Sequence, residues 1–208
     1  MGNEALFKIS YGLFVLSAEE DGRDNACIVN TFLQITSSDP ITCVISVNKQ
    51  NFTHDMIAKT KKFNLSVLST QASFEMFKRF GFQSGRTADK LSGYENNTAR
   101  SSNGVIYITE STNAYLSFDV TDMADFNSHT VFTAVLTESD VLNNNESLTY
   151  SYYHQNIKPK PQAKPQDEKN NPGWRCKICG HVYEGETLPS DYICPLCKHG
   201  AEDFEAIV

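Results

Sequence analysis

The spacing of four cysteines near the end of the chain constrains its fold more than any other feature of the sequence. They form two pairs, CKIC (176–179) and CPLC (194–197), with two residues inside each pair and fourteen between the pairs. Each pair can fold into a tight turn that presents both sulfurs, and four thiolates suit a tetrahedral ion. The spacing therefore indicates a zinc or iron site, and a structural zinc ribbon is the simpler interpretation of the spacing alone.

The residues around the cysteines favour iron. Those that carry the signal are Gly180, Tyr183, Pro189, Pro195 and Phe204. A glycine directly after a CxxC pair can adopt a positive φ, which lets backbone amides point at sulfur. Together these residues resemble the rubredoxin family, in its short form, over residues 174–207. The resemblance implies one iron that alternates between Fe3+ and Fe2+, and it assigns as ligands Cys176, Cys179, Cys194 and Cys197.

Length and charge limit the remaining possibilities. A chain of 208 residues can form one full domain and a small appendage. Its 18 basic and 25 acidic side chains give a net charge of -7, which argues against nucleic-acid binding. No run approaches the roughly 20 apolar residues of a membrane span, and the N-terminus does not resemble a signal peptide. We therefore expect a cytoplasmic protein with no nucleic-acid or membrane partner, whose cysteines serve metal or redox chemistry.

A proline-rich segment divides the chain. Residues 155–172 hold four of the seven prolines and no aromatic residue, a composition typical of a semi-rigid spacer. The sequence thus predicts a large domain at 1–154, a Pro/Lys-rich linker at 155–172 and a metal-binding domain at 173–208.

The large domain is predicted to be mainly β. Short runs rich in Val, Ile, Thr and Phe alternate with turn signals, and they predict strands within 11–18, 25–36, 42–48, 63–69, 104–109, 114–123 and 129–142. Helical spacing appears only in residues 51–62 and 72–81, and the polar stretch 93–103 is predicted to be a surface loop. This pattern favours a β-barrel with flanking helices.

Two groups of polar residues suggest a binding site. Asn30, Gln34 and Thr36 recur with the period of two that places them on one face of a strand. A second group follows the predicted strand 42–48, where the chain turns into a helix, and a lysine and hydroxyls at such a helix start favour a phosphate site. Cys27 and Cys43 fall inside strand-like runs and are expected to be buried thiols. The sequence shows no dinucleotide-binding fingerprint or P-loop.

Residues 11–69 resemble the flavin reductase family, which includes the flavoredoxins. The resemblance is carried by NxCxxNTFxQxT, the Asp39-Pro40 turn and SVNKxxxTHDMI, and it continues through FGFQSGR and HTVF to about residue 154. It implies an FMN-binding split β-barrel that forms a homodimer, with FMN near the subunit interface. The matched positions are Asn30, Thr31, Gln34 and Thr36 along the flavin ring and ribityl chain, Asn48, Lys49 and Thr53 at the phosphate, Ser84, Gly85 and Arg86 as a second FMN contact, and His129 near the flavin or nicotinamide. His54 is expected to be a helix-surface or capping histidine.

The two resemblances combined are those of the high-molecular-weight rubredoxins. That class implies an enzyme in which NADH or NADPH reduces FMN, and single electrons then pass through the iron to a flavodiiron protein that reduces oxygen or nitric oxide. The cofactors carry the chemistry, so no side chain is assigned a catalytic role. Two alternatives stay open: a flavin reductase or nitroreductase with a structural zinc ribbon, and a non-enzymatic FMN-binding module whose tail docks protein partners.

Overall fold

The computed structural model describes residues 8–159, 173–177, 181–194 and 200–207. The chain forms two compact units that divide between Lys158 and Pro159. Most of the predicted linker, residues 160–172, lies outside the described residues, and helical structure continues to Ile157 before it. The predicted domain boundaries therefore stay predictions.

The first unit is built on a seven-stranded antiparallel sheet. In the order of the chain, the unit contains β1 (Phe14–Glu20), β2 (Arg23–Val29), β3 (Phe32–Gln34), β4 (Thr42–Asn48), α1 (Phe52–Thr60), β5 (Lys62–Leu68), α2 (Phe74–Gly81), β6 (Thr98–Arg100), β7 (Ile106–Ile108), β8 (Thr112–Asp125), β9 (His129–Val141) and α3 (Tyr150–Tyr152), which continues as one π-helical segment, Tyr153–Ile157. The sheet order is β2-β1-β5-β8-β9-β4-β3, and β6 pairs separately with β7. Both predicted helices and most predicted strands are confirmed.

The sheet closes on itself as a barrel. The strands β2 and β3 stand at opposite ends of the strand order, yet only Asn30 and Thr31 separate them in the chain. Three steps along the chain span at most about 11 Å, whereas seven flat strands would be about 29 Å wide. The two end strands must therefore approach each other at this link. The predicted mainly β fold with a barrel is confirmed.

Two local predictions were wrong. The predicted strand 25–36 is interrupted at Asn30 and Thr31, because the chain passes there from one end of the sheet to the other. The predicted loop 93–103 contains β6, whose residues pair with β7. The polar side chains of β6 are partly exposed, which resembles a loop in the sequence. Its backbone nevertheless forms hydrogen bonds with β7, whose Ile106 and Ile108 are buried.

The barrel interior is filled by aromatic and branched side chains. Phe63, Phe118 and Phe132 are fully buried, and the rings of Phe63 and Phe118 stack with centroids 4.8 Å apart. Buried and partly exposed residues alternate along β4, as expected for a strand with one face in the core. Met56 and Ile57 of α1 pack onto the same core. This packing fixes the start of α1 directly after the end of β4.

The second unit is a small three-stranded sheet, in the order β11 (Val182–Glu184), β10 (Gly173–Cys176) and β12 (Phe204–Ile207). Among its described residues, the hydrophobic core consists of Cys176, Cys194 and Phe204, and four partly buried side chains pack against it: Trp174, Tyr183, Leu188 and Tyr192. A core this small depends on additional constraints for stability, and a bound metal is one of them. Within the described part of both units, no helix is long and apolar enough to cross a membrane.

Candidate functional site

A cavity of about 590 Å³ lies beside the end of β4 and the start of β9. This volume falls within the usual range for small-molecule sites. The cavity is lined by Thr31, Ser46, Asp125, Phe126, Asn127, Ser128 and His129. The pairing of Asn48 with His129 brings the turn between β8 and β9 over the end of β4, and the amide of Lys49 donates to the Ser128 carbonyl at 2.9 Å.

Two of the predicted flavin residues line this cavity. Thr31 sits in the link between β2 and β3, where its hydroxyl donates to the Ser46 carbonyl at 2.6 Å. His129 begins β9, and its Nδ1 lies 2.8 Å from the Ser128 hydroxyl. Burial, and secondarily the neighbouring His54, lower the pKa of His129. A neutral imidazole is therefore favoured at the cavity wall.

The predicted phosphate residues surround the start of α1. Asn48 accepts a hydrogen bond from the amide of Gln50 at 2.8 Å, which turns the chain into the helix. The Lys49 ammonium lies 3.6 Å from the Asp125 carboxylate. Among the described residues, the backbone N–H groups of Phe52 and Thr53 have no acceptor, and Asn51 provides no side-chain cap. Free N–H groups and a lysine at a helix start are suited to an anion.

The side chain of Thr53 points into the protein. It is fully buried, and its hydroxyl accepts a hydrogen bond from the Asn25 amide at 2.7 Å. The whole residue has no exposed surface, so neither its hydroxyl nor its backbone N–H reaches a ligand at the helix start in this structure. A contact between the Thr53 hydroxyl and phosphate stays a prediction that the folded geometry does not favour.

The second predicted FMN contact, residues 84–86, lies against the same helix end. Arg86 donates to the Asp55 carboxylate at 2.5 Å, and Arg23 donates to the Gly85 carbonyl at 2.5 Å. A Cβ atom on Gly85 would lie 2.2 Å from the Asn25 side-chain oxygen, so only glycine allows this approach. The fold therefore gathers Lys49, the start of α1 and Arg86 around one place.

Gln34 and Thr36 belong to a different surface. Gln34 is exposed on the end strand β3 and donates to the Thr36 carbonyl at 2.8 Å. The Thr36 hydroxyl donates to the Pro40 carbonyl at 3.0 Å and accepts from the Thr42 amide at 2.8 Å. Their hydrogen bonds close the turn between β3 and β4, and neither is among the described residues that line the cavity. Their role as flavin contacts stays a prediction, as does that of the half-buried Asn30.

Three residues of the site escaped sequence reasoning: Asp125, Thr130 and His54. The expectation of a surface histidine is wrong, because the His54 side chain is only 12% exposed. Its Nε2 lies 2.8 Å from the Thr130 hydroxyl, and its ring meets Phe132 edge to face. These contacts depend on the strand register between β4 and β9, for which no local sequence signal exists.

The predicted metal ligands are described in part. Cys176 ends β10, and Cys194 is buried with it in the core of the second unit. Cys179 and Cys197 lie outside the described residues. Two thiols buried in one small core, each belonging to a CxxC pair, fit the thiolate shell that iron or zinc requires. The other two cysteines, Cys27 and Cys43, are buried in the barrel, as their positions in strand-like runs predicted.

Comparison with known families assigns both units. Residues 6–160 match the flavin reductase like domain family, and residues 174–205 match the rubredoxin-like domain of rubrerythrin. The chain therefore belongs to the flavin reductase family of oxidoreductases and carries a rubredoxin-like domain at its C-terminal end. These families imply a flavin in the first unit and iron in the second.

The similarity to one relative extends over both domains. The chain is 35% identical to the high molecular weight rubredoxin of Moorella thermoacetica, with all of both chains covered. It is also 35% identical to the ferric-chelate reductase (NAD(P)H) of Archaeoglobus fulgidus, over 74% of this chain and 89% of that one. Among solved structures, the flavoredoxin of Methanosarcina acetivorans shares the fold of the first unit, with a TM-score of 0.57, 19% identity, and coverage of 67% of this chain and 73% of that one.

Proposed function

We propose that the chain is an NAD(P)H-dependent electron-transfer flavoprotein that binds FMN, passes single electrons to a rubredoxin iron centre and delivers them to a flavodiiron protein. The observation that carries this proposal is the full-length similarity to a high molecular weight rubredoxin. It places a flavin reductase domain and a rubredoxin-like domain in one chain, in the same order as in that relative.

The combination of cofactors explains why the two domains are joined. When bound, a flavin takes up two electrons as a hydride and can release them singly, whereas a four-cysteine iron carries one electron at a time. An oxidoreductase with both groups can therefore convert a two-electron donor into a source of single electrons.

The charges at the start of α1 support FMN over a flavin without phosphate. Lys49 and Arg86 each lie beside one carboxylate, that of Asp125 and that of Asp55 respectively. Asp55 lies in the first turn of α1, but the N–H of Phe52 has no acceptor among the described residues, and the partial positive charge of the helix start favours an anion there. In this proposal Lys49, Arg86 and the amide of Phe52 hold the phosphate.

The cavity beside the helix start supplies the surroundings of the ring system. Thr31 and His129 contribute hydrogen-bonding groups there, and Phe126 contributes an apolar edge. No side chain needs to transfer a proton, because the hydride passes directly between the two cofactors. The residues of the cavity bind and orient the reactants.

The absorption spectrum of the purified protein tests the proposal. We expect flavin and ferric-thiolate bands that both bleach when NADH or NADPH is added without oxygen. In a Cys194→Ser variant the flavin band should still bleach at nearly the wild-type rate, while electron delivery to a flavodiiron protein is abolished. Cys43→Ser, which alters a buried thiol of the barrel, is the matched control. Flavin that stays oxidised with both nicotinamides would favour the non-enzymatic FMN-binding module instead.

A second candidate function has support from one relative. The ferric-chelate reductase of Archaeoglobus fulgidus aligns over 154 residues, 74% of this chain, which is about the length of the first unit. The present chain in that case reduces a small diffusible acceptor, and its tail is a structural zinc ribbon. Elemental analysis that finds zinc, together with equal ferric-chelate reduction by wild type and Cys194→Ser, would favour this second candidate.

A further inference from the structure

A chain of hydrogen bonds links the predicted phosphate residues through the interior of the first unit. We call it the His54 network and define it by its members: Lys49, His54, Asp55, Arg86, Asp125 and Thr130. Arg86 contacts Asp55, which lies 2.9 Å from Nδ1 of His54. Nε2 of His54 lies 2.8 Å from the Thr130 hydroxyl, which is 2.6 Å from Asp125. Asp125 in turn faces Lys49 at 3.6 Å.

If every contact of the network is a hydrogen bond, the protons have one consistent arrangement. A hydroxyl has a single hydrogen, and a carboxylate can only accept. The Thr130 hydroxyl therefore donates to Asp125, and it must accept its second hydrogen bond from Nε2 of His54. On the other side of the ring, Asp55 also accepts, so Nδ1 of His54 must carry a hydrogen too. A histidine that donates from both nitrogens is a positively charged imidazolium.

The carboxylates on both sides are held in their charged form. Partial burial would raise the pKa of Asp55, but hydrogen bonds from His54 and Arg86 outweigh it and lower that pKa. The Thr130 hydroxyl, and to a lesser degree Lys49, lower the pKa of Asp125. A proton shared with either carboxylate is thus disfavoured.

The charges of the network do not balance once an imidazolium at His54 is counted with its neighbours. Asp55 comes from α1, Asp125 from the end of β8, Arg86 from the loop after α2 and Lys49 from the loop after β4, while His129 on β9 is favoured as neutral. Three cations therefore share two carboxylates. A positive charge in the first turn of a helix is also unfavourable, because it meets the positive end of the helix dipole. Such an arrangement is stabilised by one further anion at the helix start.

We propose that His54 is a positioning residue for the flavin phosphate: it is held as an imidazolium and, through Thr130 and Asp125, orients Lys49 toward the phosphate. This inference rests on the proposed binding of FMN at the start of α1. It assigns to His54 a task that does not require contact with the flavin.

The protonation state can be measured without any redox assay. Nitrogen chemical shifts of histidine side chains distinguish an imidazolium from either neutral form. We expect both nitrogens of His54 to be protonated at pH 7 in the full chain loaded with flavin and with zinc in place of iron, and the signals are assigned by their loss in His54→Gln. A neutral His54 at pH 7 would overturn the proposal.

Flavin affinity tests the link to phosphate. The dissociation constant of FMN should rise about tenfold in His54→Gln at neutral pH, because one nearby positive charge is lost. Riboflavin, which lacks the phosphate, should bind both proteins equally. His154→Gln, which changes an exposed histidine of the same unit, is the matched control.

Two variants of Thr130 test whether its hydroxyl connects His54 to Asp125. Thr130→Val keeps the shape of this fully buried residue but removes the hydroxyl, whereas Thr130→Ser keeps the hydroxyl. We expect Thr130→Val to weaken FMN binding and Thr130→Ser to restore it, with riboflavin binding unchanged in both. Equal FMN affinity of wild type, His54→Gln and Thr130→Val would overturn the proposal, whereas a chain that binds no flavin at all would overturn the proposed function.

Discussion

At the scale of single residues, Lys90 is the most unusual side chain of the first unit outside the site. It is 2% exposed, and its ammonium donates to the carbonyls of Ala26 at 2.9 Å and Phe80 at 3.1 Å. No carboxylate among the described residues lies within ion-pair distance of it. Phe80 lies in the last turn of α2, where a cation is favoured by the negative end of the helix dipole. Lys90 thus joins the end of α2 to the end strand β2.

We expect Lys90→Met to lower the free energy of unfolding by about 1–3 kcal/mol, because two buried carbonyls lose their donor. Urea unfolding measures this change, with the exposed Lys62→Met as the control. An unchanged stability of Lys90→Met would show that these hydrogen bonds contribute nothing net.

The same residue predicts a pH dependence. Burial, partly offset by the nearby Cys27, lowers the pKa of Lys90 in the folded protein. The unfolded chain therefore binds more protons at this position between the lowered pKa and the ordinary value of about 10.4. The contribution of Lys90 to the free energy of unfolding therefore increases as pH rises between these two pKa values. The difference in unfolding free energy between wild type and Lys90→Met should accordingly be larger at pH 9.5 than at pH 7, and a smaller difference would contradict the argument.

At the scale of elements, the end strand β3 carries a surface that suits a second copy of the chain. Leu33 and Ile35 are 60% and 54% exposed on or beside this strand, and Phe126 at the cavity is 61% exposed. Exposed apolar side chains on a strand at the end of a sheet promote association with another chain. They favour the homodimer that the flavin reductase resemblance predicts, with the cavity close to the subunit interface.

We predict a homodimer that forms through β3 and that Leu33→Lys converts to a monomer, because a charge on β3 would have to be buried without a partner. Light scattering coupled to size exclusion measures the mass of each species. Val141→Lys, which changes an exposed apolar residue at the far end of β9, should leave the dimer intact. A dimeric Leu33→Lys protein would rule out β3 as the interface.

The elements also show what the sequence can predict. A run rich in Val, Ile and Thr between turn signals identified β4 at its observed bounds, and every second residue of this strand is buried. Spacing of Phe74, Phe77 and Phe80 identified α2 because these aromatics recur at helical intervals. The break at Asn30 and Thr31 could not be predicted, because nothing in this β-rich stretch interrupts the strand pattern. The strand is interrupted there because the barrel closes, which is a long-range constraint.

For the site, too, local features could be predicted from the sequence and long-range contacts could not. Lys49 and the start of α1 follow one another in the chain, so a local pattern could indicate them. His54, Thr130 and Asp125 meet only because β4 pairs with β9 in one particular register. Family resemblance indicated Thr31 and His129 but gave no reason for their placement. That reason lies in the turn between β8 and β9, which folds over the end of β4.

At the scale of the whole molecule, charge predicts how electrons leave the chain. Residues 173–208 contain three basic and six acidic side chains, a net charge of -3. An acidic domain docks most readily on a basic surface, and salt screens such an encounter. We expect electron transfer to a flavodiiron protein to slow as ionic strength rises. Reduction of a small neutral acceptor by the same protein is the control, and a rate to the protein partner that does not change with salt would contradict the prediction.

The link between β2 and β3 has a consequence for how the barrel tolerates changes in length. Asn30 and Thr31 are all that separates two strands that stand at opposite ends of the strand order. Because side chains alternate between the two faces of a strand, removal of one residue here would rotate β3 by half a period. Leu33 would then exchange faces with Gln34, and Thr31 would lose the Ser46 carbonyl. The length of this link therefore determines which side chains of β3 face the solvent, the core or a ligand.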